Sequence, residues 1–194
     1  AIAQFISGLA QTASEFIKLR GQTQQLTQET GDALNKLVAQ TSATAKTFGK
    51  DYNEVLQATN TLAKQLGITQ TEAATLIQKG FLAGADSSGQ FLDILKEYPA
   101  QFAQVGLSAE ESIAIITQSV QDGVFSDKGA DAIKEAGLRL SEFGKPAQEA
   151  IDAIGLNSKK IQQELRSGAK TTADVMKEVS AQIKTLPANS AAAS

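Results

Sequence analysis

The residues best placed to do chemistry are acids. Asp122, Asp127 and Asp131, with Glu135 just beyond, crowd the stretch Asp122-Gly123-Val124-Phe125-Ser126-Asp127-Lys128-Gly129-Ala130-Asp131. Oxygen donors this close in sequence invite a divalent cation. A calcium loop, however, needs ligands at alternate positions and a Glu at the twelfth, and that spacing is absent. Helix chemistry accounts for the same residues: Ser126 or Asp127 caps a helix, Asp131 lies near its positive end, and Glu135 pairs with Arg139 at i, i+4. Glu110 and Glu111 are adjacent, so on a helix they point apart and form no acid–base pair. The chain has no His and no Cys, so its hydroxyls lack a base and there is no thiolate nucleophile, zinc site or disulfide. No glycine-rich phosphate loop is present. Lys159, Lys160, Arg166 and Lys170 form the one basic cluster, on a chain of net charge −3 with 5% aromatics. Such a balance supplies neither a field nor a stacking platform for nucleic acid. The expectation is a protein without catalytic, cofactor or metal residues and without a specific nucleic-acid partner. Apolar runs are too short for a membrane span.

The elements that carry these residues read as helices throughout. The sequence is rich in Ala and Gln and contains only three Pro, at 99, 146 and 187. Ala and Gln favour helix, Pro breaks it, and no alternating run of β-branched and aromatic residues suggests a strand. An apolar content of 42% in 194 residues is enough for one core. The chain starts at Ala1 without a basic segment ahead of an apolar one, which reads as a piece of a longer protein with no signal peptide of its own.

Residues 1–47 contain no Pro. Phe5, Leu9, Thr12, Phe16, Leu19, Thr23, Leu26, Thr30, Ala33 and Leu37 alternate steps of four and three, a heptad seam. The three Thr in the seam and the nearby Gly8, Gly21 and Gly31 weaken it. Two readings stay open: an amphipathic helix packed on the rest of the chain, or one strand of an oligomeric coiled coil. The predicted organisation is a helical arm over 1–49, a helical-repeat domain over 50–187 and a flexible tail or linker over 188–194. Helices are expected at 51–66, 70–82, 90–98 with a continuation to 104, 109–122, 127–143, 146–154, 159–166 and 172–186.

The punctuation between these helices repeats. A shift of 39 residues lays Gly67 on Gly106, Thr69 on Ser108, Glu72 on Glu111 and Gly84 on Gly123, and Ile68, Leu76, Ile77 and Phe81 on Leu107, Ile115, Ile116 and Val120. Gly at a helix end can take the left-handed conformation that closes the last turn. Thr69 with Glu72, and Ser108 with Glu111, have the spacing of a capping box. A weaker echo starts at Ile154-Gly155-Leu156-Asn157 and reaches Gly168. Helix pairs of this period bury their apolar faces only by stacking, so the expected fold is all-α, a small HEAT-like array of helical hairpins behind a long N-terminal helix.

From about Phe48 to Leu186 the chain resembles the tape-measure proteins of long-tailed bacteriophages and prophages. The resemblance is carried by Leu66-Gly67-Ile68-Thr69-Gln70-Thr71-Glu72-Ala73 with Gly80-Phe81-Leu82-Ala83-Gly84-Ala85, and by Leu95-Lys96-Glu97-Tyr98-Pro99-Ala100-Gln101-Phe102 leading into Val105-Gly106-Leu107-Ser108-Ala109-Glu110-Glu111. Gly123-Val124-Phe125, Asp131-Ala132-Ile133-Lys134-Glu135, Arg139-Leu140 and Ile154-Gly155-Leu156 come next, in that order. The resemblance implies a structural and assembly module that sets tail length inside the tail tube and assists genome delivery. It implies residence in the virion, in the tail lumen, after assembly in the host cytoplasm. The implied partners are the tail tube protein, tail tip or baseplate proteins, tail assembly chaperones, and further copies of the chain as a trimer or hexamer through the N-terminal helix. It brings no catalytic residue. The alternative reading of the residues alone is a helical-repeat scaffold or adaptor that binds a partner in a groove.

Overall fold

The computed structural model describes residues 2–124 and 126–187. Phe125 and the tail expected over 188–194 lie outside the described residues, as do the side chains of the seam positions Phe5 and Leu9 and that of Ser126, one of the two expected helix caps. Among the described residues every regular element is a helix.

The seam read across residues 5–37 does not run through a single helix. It is carried by α1 (Ile2–Thr27) and α2 (Gly31–Phe48), which pack against each other. The chain turns where Gln28 and Gly31 take positive φ, 63° and 57°. The Arg20 Nε donates to the Asn35 side chain across the turn at 3.1 Å. The cause is visible in α2: Leu34, Leu37 and Val38 are fully buried, and α2 lies on α4 (Gln70–Leu82). Burying three large aliphatic side chains outweighs one uninterrupted helix along a seam weakened by Thr and Gly.

The 39-residue repeat maps onto the helices residue by residue. Shifting α3 (Tyr52–Leu66) by 39 gives 91–105, which is occupied by α5 (Phe91–Glu97) and α6 (Pro99–Val105). Shifting α4 gives 109–121, the span of α7 (Ala109–Gln121). Pro99 explains why the second copy of the first helix is split. It has no N–H to give and its ring crowds the carbonyl four residues back, so the helix ends at Tyr98 and restarts with Pro99 in its first turn. The corresponding position in α3 is Asn60, whose side chain instead accepts from the Gln70 amide at 3.0 Å inside the core.

α8 (Ser126–Glu142), α9 (Lys145–Ala153), α10 (Ser158–Ser167) and α11 (Thr172–Ile183) complete the chain. α8 packs on α7, α5 and α6, α9 on α10, and α11 on α8. The main core joins Val55, Leu62, Ile77, Phe91, Leu95, Phe102 and Ile116. Phe81 stacks on Phe48 at 4.7 Å and meets Phe91 edge-on at 5.2 Å. Gly80 makes that cluster possible, because a Cβ there would collide with the Phe91 ring. A second, smaller cluster joins Phe143, Ile151, Ile161 and Val175. One expected terminator differs: Phe143, not Gly144, takes the left-handed conformation (φ 43°). Gly144 is extended and precedes α9 as its N-cap. The strained Phe143 backbone is held by its ring, which is 5% exposed in the small cluster.

Candidate functional site

The residues singled out by the repeat sit at helix ends, and their geometry is that of interlocking caps. Gly67 and Gly106 end α3 and α6 with φ of 67° and 87°, and Gly84 and Gly123 lie just past the ends of α4 and α7 with φ of 85° and 74°. After each, the next amide reaches back five residues: Ile68 to the Ala63 carbonyl, Ala85 to Gly80, Leu107 to Phe102 and Val124 to Ser119, at 2.8–3.1 Å. This is the Schellman closure, which satisfies carbonyls a helix end would otherwise orphan. The next helix in each unit opens on a reciprocal box. The Thr69 amide donates to Glu72 Oε2 at 2.9 Å and the Glu72 amide donates to Thr69 Oγ1 at 3.2 Å. Ser108 and Glu111 do the same at 2.9 and 3.1 Å.

The third echo is truncated. Asn157 caps α10 by accepting from the Lys160 amide, but the position of the box glutamate is Lys160 itself, so no box closes. The third box stands one helix later. Thr171 Oγ1 accepts from the Asp174 amide at 3.1 Å, and the Thr171 amide donates to Asp174 Oδ2 at 2.9 Å. Its sequence signal is a Thr-x-x-Asp pattern three residues after Gly168, a spacing one longer than in the repeat, which puts it out of the 39-residue register.

The structure brings the second and third boxes together. Gly106 lies against Thr171, so close that a Cβ on Gly106 would fall 2.7 Å from the Thr171 Cβ. Beside this contact the Lys177 ammonium donates to Glu111 Oε1 at 2.5 Å, tying α11 to the N-terminus of α7. That hydrogen bond, and the Ser108 amide after it, hold the Glu111 carboxyl below the usual glutamate range. The pair raises Lys177 in turn. Glu72 is lowered as well, by the Thr69 amide and hydroxyl, without any cation in attendance. Asp174 is lowered by the Thr171 amide and hydroxyl.

The acidic stretch is dispersed into separate roles. Asp122 accepts from Gln118 Nε2, Asp127 from the Lys128 amide, and Asp131 from the Tyr98 hydroxyl at 2.8 Å. No group of acids able to hold a metal is assembled among the described residues. The Asp131 carboxylate pushes the Tyr98 phenol up to about 12. The expected Glu135–Arg139 ion pair is absent among the described residues. Of the basic cluster, Lys170 bridges Glu178 and Glu164 at 2.5 and 2.9 Å, and Lys160 approaches Glu164 at 3.8 Å. These contacts are helix-to-helix ties with the geometry of a scaffold.

α11 leaves two open apolar grooves. One, of about 520 Å³, is floored by Leu107, Ile115, Ile133 and Met176. The other, of about 440 Å³, lies over α8 and α9 and is floored by Leu140, Ile151 and Val179. No described helix is long and apolar enough to cross a membrane.

No curated protein and no solved structure is similar to this chain. The family described as phage-related minor tail protein matches residues 3–194. Helix-end caps, interhelical ion ties and a family match over almost the whole length agree on one identity: the chain belongs to the phage-related minor tail protein family.

Proposed function

We propose that this chain is a structural and assembly module of a tail tape-measure protein. In this reading it lies in the lumen of the tail tube, contributes to tail length and assists genome delivery. The observation that carries the proposal is the family match over residues 3–194 of an all-helical chain. The tail tube protein, the tail tip or baseplate and the tail assembly chaperones are its partners in this reading, met first in the host cytoplasm, with trimers or hexamers formed through the N-terminal helix.

The two parts of the fold suit different shares of that work. A continuous helix adds 1.5 Å per residue, so the 26 residues of α1 span about 39 Å. The helices from α2 onward double back on one another and add far less length per residue. α1 is therefore the ruler-like part of this segment, and the packed helices are a folded module carried with it. The test is electron microscopy of tails assembled with residues 2–27 deleted in frame from the parent gene. Tails shorter by about 39 Å are expected. Tails of unchanged length that still contain the protein would overturn the ruler share, and tails that never contain it would overturn the tape-measure reading.

A further inference from the structure

The groove over α8 and α9 and the free part of α1 complement each other. The groove floor is aliphatic, and Arg139 and Lys184 stand at its edge with no salt bridge to any described acid. Lys184 and the exposed Ser180 border both grooves, so α11 forms a ridge with an apolar trough on each side. On α1 the packing contacts begin at Leu19, and residues 12–18 are all exposed. Within that span Phe16 is 41% and Ile17 70% exposed, an apolar pair with nothing upon it. Glu15, the one acid in α1, flanks the pair and is in no salt bridge among the described residues. In its own chain α1 packs on α2 and α3, while α11 packs on α8.

We propose that α1 of one copy seats in the α8–α9–α11 groove of the next copy. Phe16 and Ile17 fill the aliphatic trough, and Glu15 meets Arg139 and Lys184 at the edge. Desolvating an apolar pair while matching one acid to two uncommitted cations favours this seat over a neutral or acidic surface. The contact joins two different patches, so it is heterologous: each copy offers a free α1 and a free groove, and the assembly extends head to tail. This differs from association of α1 with α1, and it does not rest on the tape-measure reading.

The chain has no cysteine, so single thiols report the contact cleanly. The Ile17→Cys and Ser180→Cys chains, both altered at exposed positions, would be mixed with a short bismaleimide cross-linker after matching their thermal melts to the parent. The expected result is a covalent dimer of the mixed pair, several-fold above a Ser87→Cys control in the exposed 86–89 loop. Glu15→Lys in the Ile17→Cys chain should reduce it several-fold, and Arg139→Glu with Lys184→Glu in its mate should restore it. Cross-linking of Ile17→Cys chains to one another in preference to the mixed pair would overturn the proposal in favour of α1–α1 pairing. A mixed yield no higher than the control would overturn it in favour of an isolated chain.

Discussion

The units α3–α4 and α5–α7 share a cap signature, yet the fold uses them differently. In the first unit the signature is purely local. Gly67 has open space beyond it, Glu72 touches only its own box, and Thr59 returns its hydroxyl to the Val55 carbonyl four residues back. In the second unit each corresponding residue also reaches a C-terminal helix. Gly106 receives Thr171, Glu111 receives Lys177, and Tyr98, which occupies the position of Thr59, donates to Asp131 on α8. A repeat in sequence thus records the conditions for starting and stopping a helix. Which copy becomes a docking socket is decided by the helices the chain places against it later, here α8 and α11.

The sharpest break between the units is Gly106→Ala against Gly67→Ala. Both place a side chain at positive φ, which costs about 1–2 kcal/mol. Gly106→Ala must also push Thr171, and with it the start of α11, out of contact. We expect about 3 kcal/mol for Gly106→Ala against about 1–2 for Gly67→Ala by urea denaturation. Equal losses would mean that α11 does not press on the second unit. The more drastic Gly106→Val adds β-branching to the same collision and should not fall below the Ala variant.

Next in size is Tyr98→Phe, which removes a hydrogen bond to a carboxylate and should cost about 1.5 kcal/mol at neutral pH. It carries a second signature. The unfolded phenol ionises near its ordinary 10, while the folded one keeps its proton to about 12. A group whose folded pKa is raised stabilises the fold fully below its unfolded value and loses that contribution as pH climbs toward the folded one. Melting temperature should therefore fall between about pH 10 and 12 in the parent, and less steeply in Tyr98→Phe. The remaining slope belongs to Tyr52, raised by burial in spite of its bond to Thr23. Identical alkaline slopes would remove the Tyr98–Asp131 contact from the comparison.

The local half of this architecture was legible in the sequence. The starts and stops at Gly67, Thr69, Glu72, Gly84, Gly106, Ser108, Glu111 and Gly123 depend on interactions spanning three to six residues, which a single chain displays directly. Pro99 was equally readable as a break. The N-terminal seam was not, because its course depends on a competition: Leu34, Leu37 and Val38 gain more in the core than a continuous helix gains from a Thr-interrupted seam. Phe143 hid for a related reason, since only the pocket formed with Ile151, Ile161 and Val175 makes a left-handed phenylalanine tolerable. The socket of Gly106, Thr171, Glu111 and Lys177 joins positions more than sixty residues apart. No local pattern could couple them, although the third box itself was written in Thr171 and Asp174.

The smallest effects separate the two box glutamates. Both have carboxyl groups held below the ordinary value in the fold, Glu111 chiefly by Lys177 and Glu72 by the Thr69 amide. A depressed folded pKa gives stability that is present above the unfolded value, near 4.5, and is lost as pH falls through the folded one. Glu72→Gln and Glu111→Gln should therefore each flatten the acid limb of the melting-temperature profile below about pH 4.5. Salt is what tells them apart. The Lys177–Glu111 pair is solvent-exposed on both sides, at 57% and 37%, so it is worth under about 1 kcal/mol and is screened by ions. The Thr69–Glu72 box is a backbone cap of short range and has no cation to screen. At neutral pH and low salt Glu111→Gln should cost more than Glu72→Gln, and in about 1 M salt the two costs should converge. A gap that survives high salt would mean that the α11 tie rests on the packing of Gly106 against Thr171 and Ser108, with the charge of Lys177 incidental. Lys177→Met, which keeps the aliphatic stem and drops the ammonium, would then melt with the parent.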